Sequence, residues 1–446
     1  MMKGKKQPLR YLLPVCFLLF CITPALRAQD WVHTGTNLGV QHIRLAVASF
    51  KPMTNDVQTL PLKSIFDQTL YNDLSNAGIF NMVSPSMVPP EMPGSPAEIH
   101  LNLWSADPAN ADMVVFGNIG VSGGHVTVQG FLFDAKNPGT PQILGKQFTD
   151  VSNDEATRQI AHRFADEIIS RLGGGINGIC ETHIYFVSNR SGHKEIWVMD
   201  YDGQDAHQIT HLGDDALSPR VSPDNSRIAF SALGPDGWAI RMYSLTLHRL
   251  VHFRAPVGNS FSPAWSSDGT KLAFSASGAS GDNEIYTVNA DGGDLRRITT
   301  FRGPDVSPVW NPKTNSQIAW VSGRTGLPQI YIMNSDGSGI QRMTDGGYAV
   351  SPSWSPNGEF LAFAWNRHYG PGVLGGQDIY MMNIANLNWV ELTHGEGTND
   401  FPSWSPDNRH IVYQRGDQIW TMLADGTNQQ QLTHVGENTM PNWSWK

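Results

Sequence analysis

Trp354-Ser355-Pro356-Asn357-Gly358, with Leu361-Ala362-Phe363 close behind it, decides how the second half of this chain is read. Proline presets φ and Asn or Gly takes the left-handed position, so the first stretch is a tight turn and the apolar triplet is the strand it feeds. The unit recurs at Trp265-Ser266-Ser267-Asp268-Gly269, Trp310-Asn311-Pro312-Lys313-Thr314 and Trp404-Ser405-Pro406-Asp407-Asn408. Val221-Ser222-Pro223-Asp224-Asn225 fills the same slot upstream and Trp443-Ser444-Trp445 downstream, at spacings of 44, 45, 44, 50 and 39 residues. Second strands follow at Ile228, Leu272, Ile318, Leu361 and Ile411, and third strands at Ile196, Trp238, Ile285, Ile330, Ile379 and Ile419. Fourth strands end in Ile209-Thr210, Ile298-Thr299, Leu392-Thr393 and Leu432-Thr433. Four strands about every 44 residues, six times over, predict a six-bladed β-propeller over 184–446. The repeats start at a second strand, Ile184–Ser188, and finish on a first strand, Met440–Trp445. Pairing of those two pieces would complete one blade and close the ring.

Upstream the pattern changes. Ile43–Ser49 reads as a buried strand, and Leu62, Ile65, Phe66, Leu70, Leu74 and Ala77 recur at helical spacing with Gly78 as a C-terminal cap. Strand patterns follow at Met113–Ile119, His125–Phe133 and Ile143–Phe148. A capping box, Ser152-Asn153-Asp154-Glu155, opens a second helix, and Gly173 closes it. Residues 43–175 are therefore expected to form an α/β domain, joined to the propeller by a glycine-containing linker over 176–183.

The 44 glycines and 28 prolines against 16% charged residues suit short strands and tight turns better than a helical bundle. Lys3, Lys5, Lys6 and Arg10 precede an apolar run of 11 residues, Leu12 to Ile22, and then Ala25-Leu26-Arg27-Ala28. This is the pattern of a secretory signal over 1–28; a bilayer span needs roughly 20 apolar residues. Export would remove Cys16 and Cys21 and leave Cys180 without an internal partner. It would also leave 26 basic residues against 40 acidic ones, a net charge of −14, which disfavours nucleic acid as a partner.

The catalytic signals are weak. Gly120-Val121-Ser122-Gly123-Gly124 matches the nucleophile-elbow pattern, but strands flank it on both sides where the elbow needs a helix, so a hairpin turn is expected. His162, His183, His193, His207, His211, His394 and His434 show no H-x-x-x-H or H-E-x-x-H spacing on a helix, and no metal site is expected from them. The Asp-Gly pairs at 202, 291, 336 and 425 have one carboxylate each, too few for a calcium loop. The repeated tryptophans read as packing between blades.

The remaining candidates are loops. Chain direction places fourth-to-first and second-to-third connections on one face of the disc, where Arg190, His193, Asn259, Phe261, Asp305, Arg324, Tyr348, Asp400, Phe401 and Thr439 offer aromatic and arginine side chains. Those types are enriched at protein-binding hot spots. The 366–377 loop, with Tyr369, Pro371 and Val373, is the longest of the set.

The combination of Ile43–Phe50, Asp73-Leu74-Ser75-Asn76-Ala77-Gly78-Ile79-Phe80, Ala111-Asp112-Met113-Val114-Val115-Phe116-Gly117 and the Ser-Pro-x-Trp propeller repeats is similar to the TolB family. That family is the periplasmic component of the Tol–Pal cell-envelope system, and the resemblance covers nearly all of the chain after residue 28. It implies a periplasmic, monomeric, non-enzymatic adaptor without cofactors. Its implied partners are the lipoprotein Pal, bound through the propeller, and TolA, bound through the extended segment 29–42, with other envelope proteins besides. Within that segment Gln29, Asp30, Trp31, Val32 and His33 are the candidates, since extended chain docks readily by strand addition. Val221 in place of a Trp, the missing Asp-Gly after Trp443 and the stretch Gly178-Ile179-Cys180-Glu181-Thr182 depart from the family pattern. Two other classes stand beside the adaptor: a secreted propeller enzyme of peptidase or polysaccharide-lyase type, and a module that binds a small ligand in its channel.

Overall fold

The computed structural model describes residues 42–255, 257–278, 281–370 and 375–445. The expected signal, the segment 29–41 with its TolA-directed residues, Cys16, Cys21, Pro371 and Val373 lie outside them.

The first domain runs β1 (Ile43–Val47), β2 (Lys51–Pro52), α1 (Thr59–Asn76), β3 (Phe80–Met82), α2 (Leu101–Ser105), β4 (Met113–Ser122), β5 (His125–Asp134), β6 (Gln142–Val151) and α3 (Asp154–Leu172). The sheet order is β3-β1-β4-β5-β6, with β1 parallel to both neighbours and β4-β5-β6 an antiparallel meander. Alternation along β4 sends Val115, Ile119 and Val121 to the face covered by α1 and α3, and Val114 and Phe116 to the face covered by Trp104 of α2. The short elements β2, β3 and α2 carried no readable periodicity. The cap of α3 sits one residue later than the capping box predicts: Asn153 Oδ1 accepts the Ala156 N–H at 2.7 Å, and Ser152 instead donates to Gln58 Oε1.

The propeller has six four-stranded antiparallel sheets. Its innermost strands are Ala216–Val221, Ser260–Trp265, Asp305–Trp310, Tyr348–Trp354, Asn399–Trp404 and Asn438–Trp443. The last of these pairs with His183–Ser188, Asn438 opposite Ser188 and Trp443 opposite Ile184, so the ring closes as the repeat phase predicts. The repeat signatures have a chemical basis. In five blades a buried Thr at the end of the fourth strand (Thr210, Thr299, Thr344, Thr393 and Thr433) accepts the N–H of the third-strand Ile at 2.9–3.0 Å. The same hydroxyl donates to the residue before that Ile: Glu195, Glu284, Gln329, Asp378 or Gln418. The serines of the turn motif work alike. Ser222, Ser266, Ser355 and Ser405 accept an N–H five residues on and donate to the Asp or Asn two residues on.

The two domains share one core. Leu62, Phe66, Leu70, Ile168 and Ile169 of the helices are continuous with Ile179, Cys180, Ile184, Phe186, Val412 and Trp443. The stretch between α3 and the propeller is tied down: Asp166 accepts the N–H groups of Cys180 and Glu181 at 3.0 and 3.2 Å. A Cβ on Gly178 would lie 1.9 Å from Asp166 Oδ1, so glycine is required there by close approach.

Candidate functional site

The α/β domain docks on the propeller face formed by the first-to-second and third-to-fourth turns. His410 Nε2 lies 2.7 Å from the Asn76 carbonyl, Gln430 donates to Asn76 Oδ1 at 2.9 Å, and Tyr201 OH donates to Asp73 Oδ1 at 2.5 Å. Behind these contacts, buried Asp407 accepts the N–H groups of Arg409 and His410 and pairs with the side chains of both. Burial alone would raise the Asp407 pKa, but His410 and Arg409 outweigh it and hold the carboxyl well below the usual range. Asp73 is raised by burial despite its 2.8 Å contact with His162 Nδ1. Burial lowers the pKa of His162 and the Asp73 carboxylate more than offsets that, so the net shift is upward.

Among the described residues, one group of three ligating side chains comes together: His162, Asp200 and Asp202, within 4.8 Å of one another. Arg158 already pairs with Asp200 and lies 3.8 Å from Asp202, so a fixed cation stands beside both carboxylates. The elbow-like motif is a hairpin turn, with Gly123 and Gly124 at φ +60° and +77° and Ser122 paired with His125. Asp202, Asp291, Asp336 and Asp425 each accept the N–H two residues on, which makes the Asp-Gly pairs turns.

The loop face named from sequence is the opposite end of the disc, free of the α/β domain. The residues expected there divide into two groups. His193 and Asn259 are exposed; Asn259 Oδ1 accepts the Trp238 N–H, and Phe261 packs on the Trp238 ring at 5.6 Å. Tyr348 lies 5.3 Å from Tyr369, ring to ring, and Phe401 stands half-buried with φ +49° at the channel. The other residues brace the blades. Asp305 is fully buried and accepts from Arg324 at 3.1 Å, while the Arg324 guanidinium stacks over Phe301, Trp320 and Tyr331 at 5.0–5.3 Å. Arg190 donates to the Val435 carbonyl and Asn438 Oδ1 and stacks over Trp197. Thr439 is buried against the closing strand, and burial raises the Asp400 pKa while Ser351 and the Phe401 N–H bond it.

Arg367 over Trp365 and Trp389, and Arg415 over Tyr413 and Trp420, repeat the Arg324 arrangement in two more blades. An arginine just after the second strand is the signal that identifies this brace. The apolar surface of the face comes instead from Leu233, Phe301, Leu327, Tyr369 and Val435, with exposures of 37–69%. Four of them sit at fourth-to-first or second-to-third connections and Leu233 near the end of the second strand Arg227–Gly234; of the five only Tyr369 stands out in the sequence.

A family model described as the TolB beta propeller domain matches residues 171–370 and 347–446, and one for the TolB amino-terminal domain matches 36–138. The chain belongs to the TolB family. Among curated relatives, the Protein TolB homolog of Chlorobium luteolum is 31% identical over 263 residues, 59% of this chain and 58% of that one. The Tol-Pal system protein TolB of Desulfosudis oleivorans is 31% identical over 289 residues, 64% of each. The chain thus spans less than two thirds of the length of these TolB relatives. The crystal structure of TolB from Acinetobacter baumannii shares the fold, with a TM-score of 0.73 and 23% identity over 91% of this chain and 97% of that one.

Proposed function

We propose that this protein is a non-enzymatic adaptor of the Tol–Pal system, acting in the periplasm. The apolar loop face of its propeller binds the lipoprotein Pal, and residues 29–42 bind inner-membrane Tol proteins, TolA first. In this role it supports outer-membrane integrity and constriction at cell division. Family membership supports the system, and curated relatives carry the name Tol-Pal system protein TolB. Among the described residues no helix is long and apolar enough to cross a membrane. The observation that carries the binding half is the set of exposed apolar side chains Leu233, Phe301, Leu327, Tyr369 and Val435 at one end of the disc, ringed by polar loops. The core shared between the domains gives a route by which a change at the N-terminal segment reaches the propeller.

Calorimetric titration with the soluble domain of the same organism's Pal tests the reading. Micromolar or tighter binding is expected, at least tenfold weaker when Phe301 and Tyr369 are both changed to Ser, since truncating a central aromatic costs about 2 kcal/mol or more. No heat at high protein concentration refutes the Pal assignment. Deletion of 29–38 should abolish TolA binding and leave the thermal midpoint unchanged; unaltered TolA affinity refutes the second half.

A further inference from the structure

The propeller channel holds a cation, Arg220, that forms no ion pair among the described residues. At one level of the channel the six inner strands place Arg220, Ala264, Val309, Ser353, Ser403 and Asn442, and only the first is charged. Arg220 lines both the cavity of about 100 Å³ on the side of the tryptophans and the cavity of about 30 Å³ on the other side. Neither cavity is lined by an Asp or a Glu. The second is rimmed by Ser218, Ser262, Ser307 and Ser351, each in the left-handed region at φ +51° to +55°, immediately before a proline. Four such residues in one ring hold the channel wall in a strained, fixed shape.

Arg220 lacks the carboxylate partner that several other arginines of this chain have. Arg158, Arg297, Arg324, Arg409 and Arg415 all face a carboxylate. The Arg220 guanidinium donates only to the Pro219 carbonyl, at 2.8 Å, and among the described residues no carboxylate lies within 4 Å of it. Enclosure lowers its pKa to about 10, which leaves it charged at neutral pH. A half-buried charge in a narrow channel is costly unless something pairs with it, and a guanidinium fork matches the two oxygens of a carboxylate or phosphate.

We propose that Arg220 is the centre of an anion site in the propeller channel that takes a single oxyanion, with the hydroxyls of Ser262 and Ser307 as additional donors. The oxyanion is either free and inorganic or a carboxylate carried on a polypeptide that enters the channel. The test is scanning calorimetry of the full mature chain at constant ionic strength, replacing chloride stepwise by phosphate or by acetate. A saturable rise in thermal midpoint is expected for the wild type and its loss in Arg220→Gln. In chloride alone Arg220→Gln should melt at or above the wild type, because an unpaired charge has gone. Arg220→Lys should keep a weakened response, since the charge remains without the fork. Saturation by phosphate assigns the inorganic source, and saturation by acetate alone assigns the carboxylate. A wild type that responds to neither, or a response that survives Arg220→Gln, overturns the site. The Trp265 indole bonds the Arg220 backbone carbonyl, not its side chain, so these variants leave the blade contact in place.

Discussion

The two ends of the propeller are built from the same kind of short loop and use their charged groups differently. At the end covered by the α/β domain, charged groups are buried, paired and bonded to backbone across the interface: Asp407 with Arg409 and His410, and Asp73 with His162 and Tyr201. At the other end the arginines are folded inward as braces and apolar side chains such as Phe301 and Val435 are left in water. A permanent interface can hold charged groups in low dielectric because each carboxylate there keeps a fixed partner. A face that is covered only part of the time does better with apolar contacts, which need no exact partner and gain when docking takes them out of water.

The sharpest way to break this contrast is Asp407→Ala. It strands Arg409, 1% exposed, and removes the orienting contact of His410, so a loss of about 3–5 kcal/mol in urea unfolding is expected. Gly178→Ala comes next. Its Cβ would collide with Asp166, and overpacking of this kind costs about 1–3 kcal/mol, visible as a lowered thermal midpoint. A pH series adds a smaller effect with two signs. Burial raises the Asp166 pKa to about 6, above its unfolded value, so its contribution is full in acid and is lost as pH rises from about 4 through 6. Asp407, held low, contributes stability above about pH 4 and loses it as pH falls further. Asp166→Asn should flatten the first slope and leave the second; an unchanged profile between pH 4 and 6 would discard the assignment. Smallest of all, Leu327→Ser and Val435→Ser should change stability by less than about 0.5 kcal/mol, as surface substitutions do. A loss there comparable to Asp407→Ala would mean that the loop face is not free.

The architecture was legible because a propeller writes its period into turn residues, and the Ile-Thr and Trp-Ser-Pro-Asp units mark hydroxyl tethers that recur blade after blade. The loop face was legible as topology, from chain direction alone. The roles of its residues were not. Asp305 and Arg324 look like free recognition groups in sequence, yet each is the other's partner, since burial depends on what the neighbouring strand brings over. The domain interface left no local trace at all: Asp73, His162 and Tyr201 come from a helix, a second helix and a propeller turn. The capping box failed by one residue because Asn153 competes with Ser152 for the same role, and Asn caps at least as well.

The pairing of Asn438–Trp443 with His183–Ser188 also sets a clock. As the chain is made, His183–Ser188 appears early and its inner partner last of the strands described, so five sheets can form while the sixth keeps an unpaired edge. An open edge is a site for wrong pairing with another chain. Because Ile184, Phe186 and Trp443 also belong to the core shared with the α/β domain, that domain finishes docking only when the ring shuts. The protein is thus most vulnerable during its own synthesis, and losing Asn438–Trp443 would disable both domains at once.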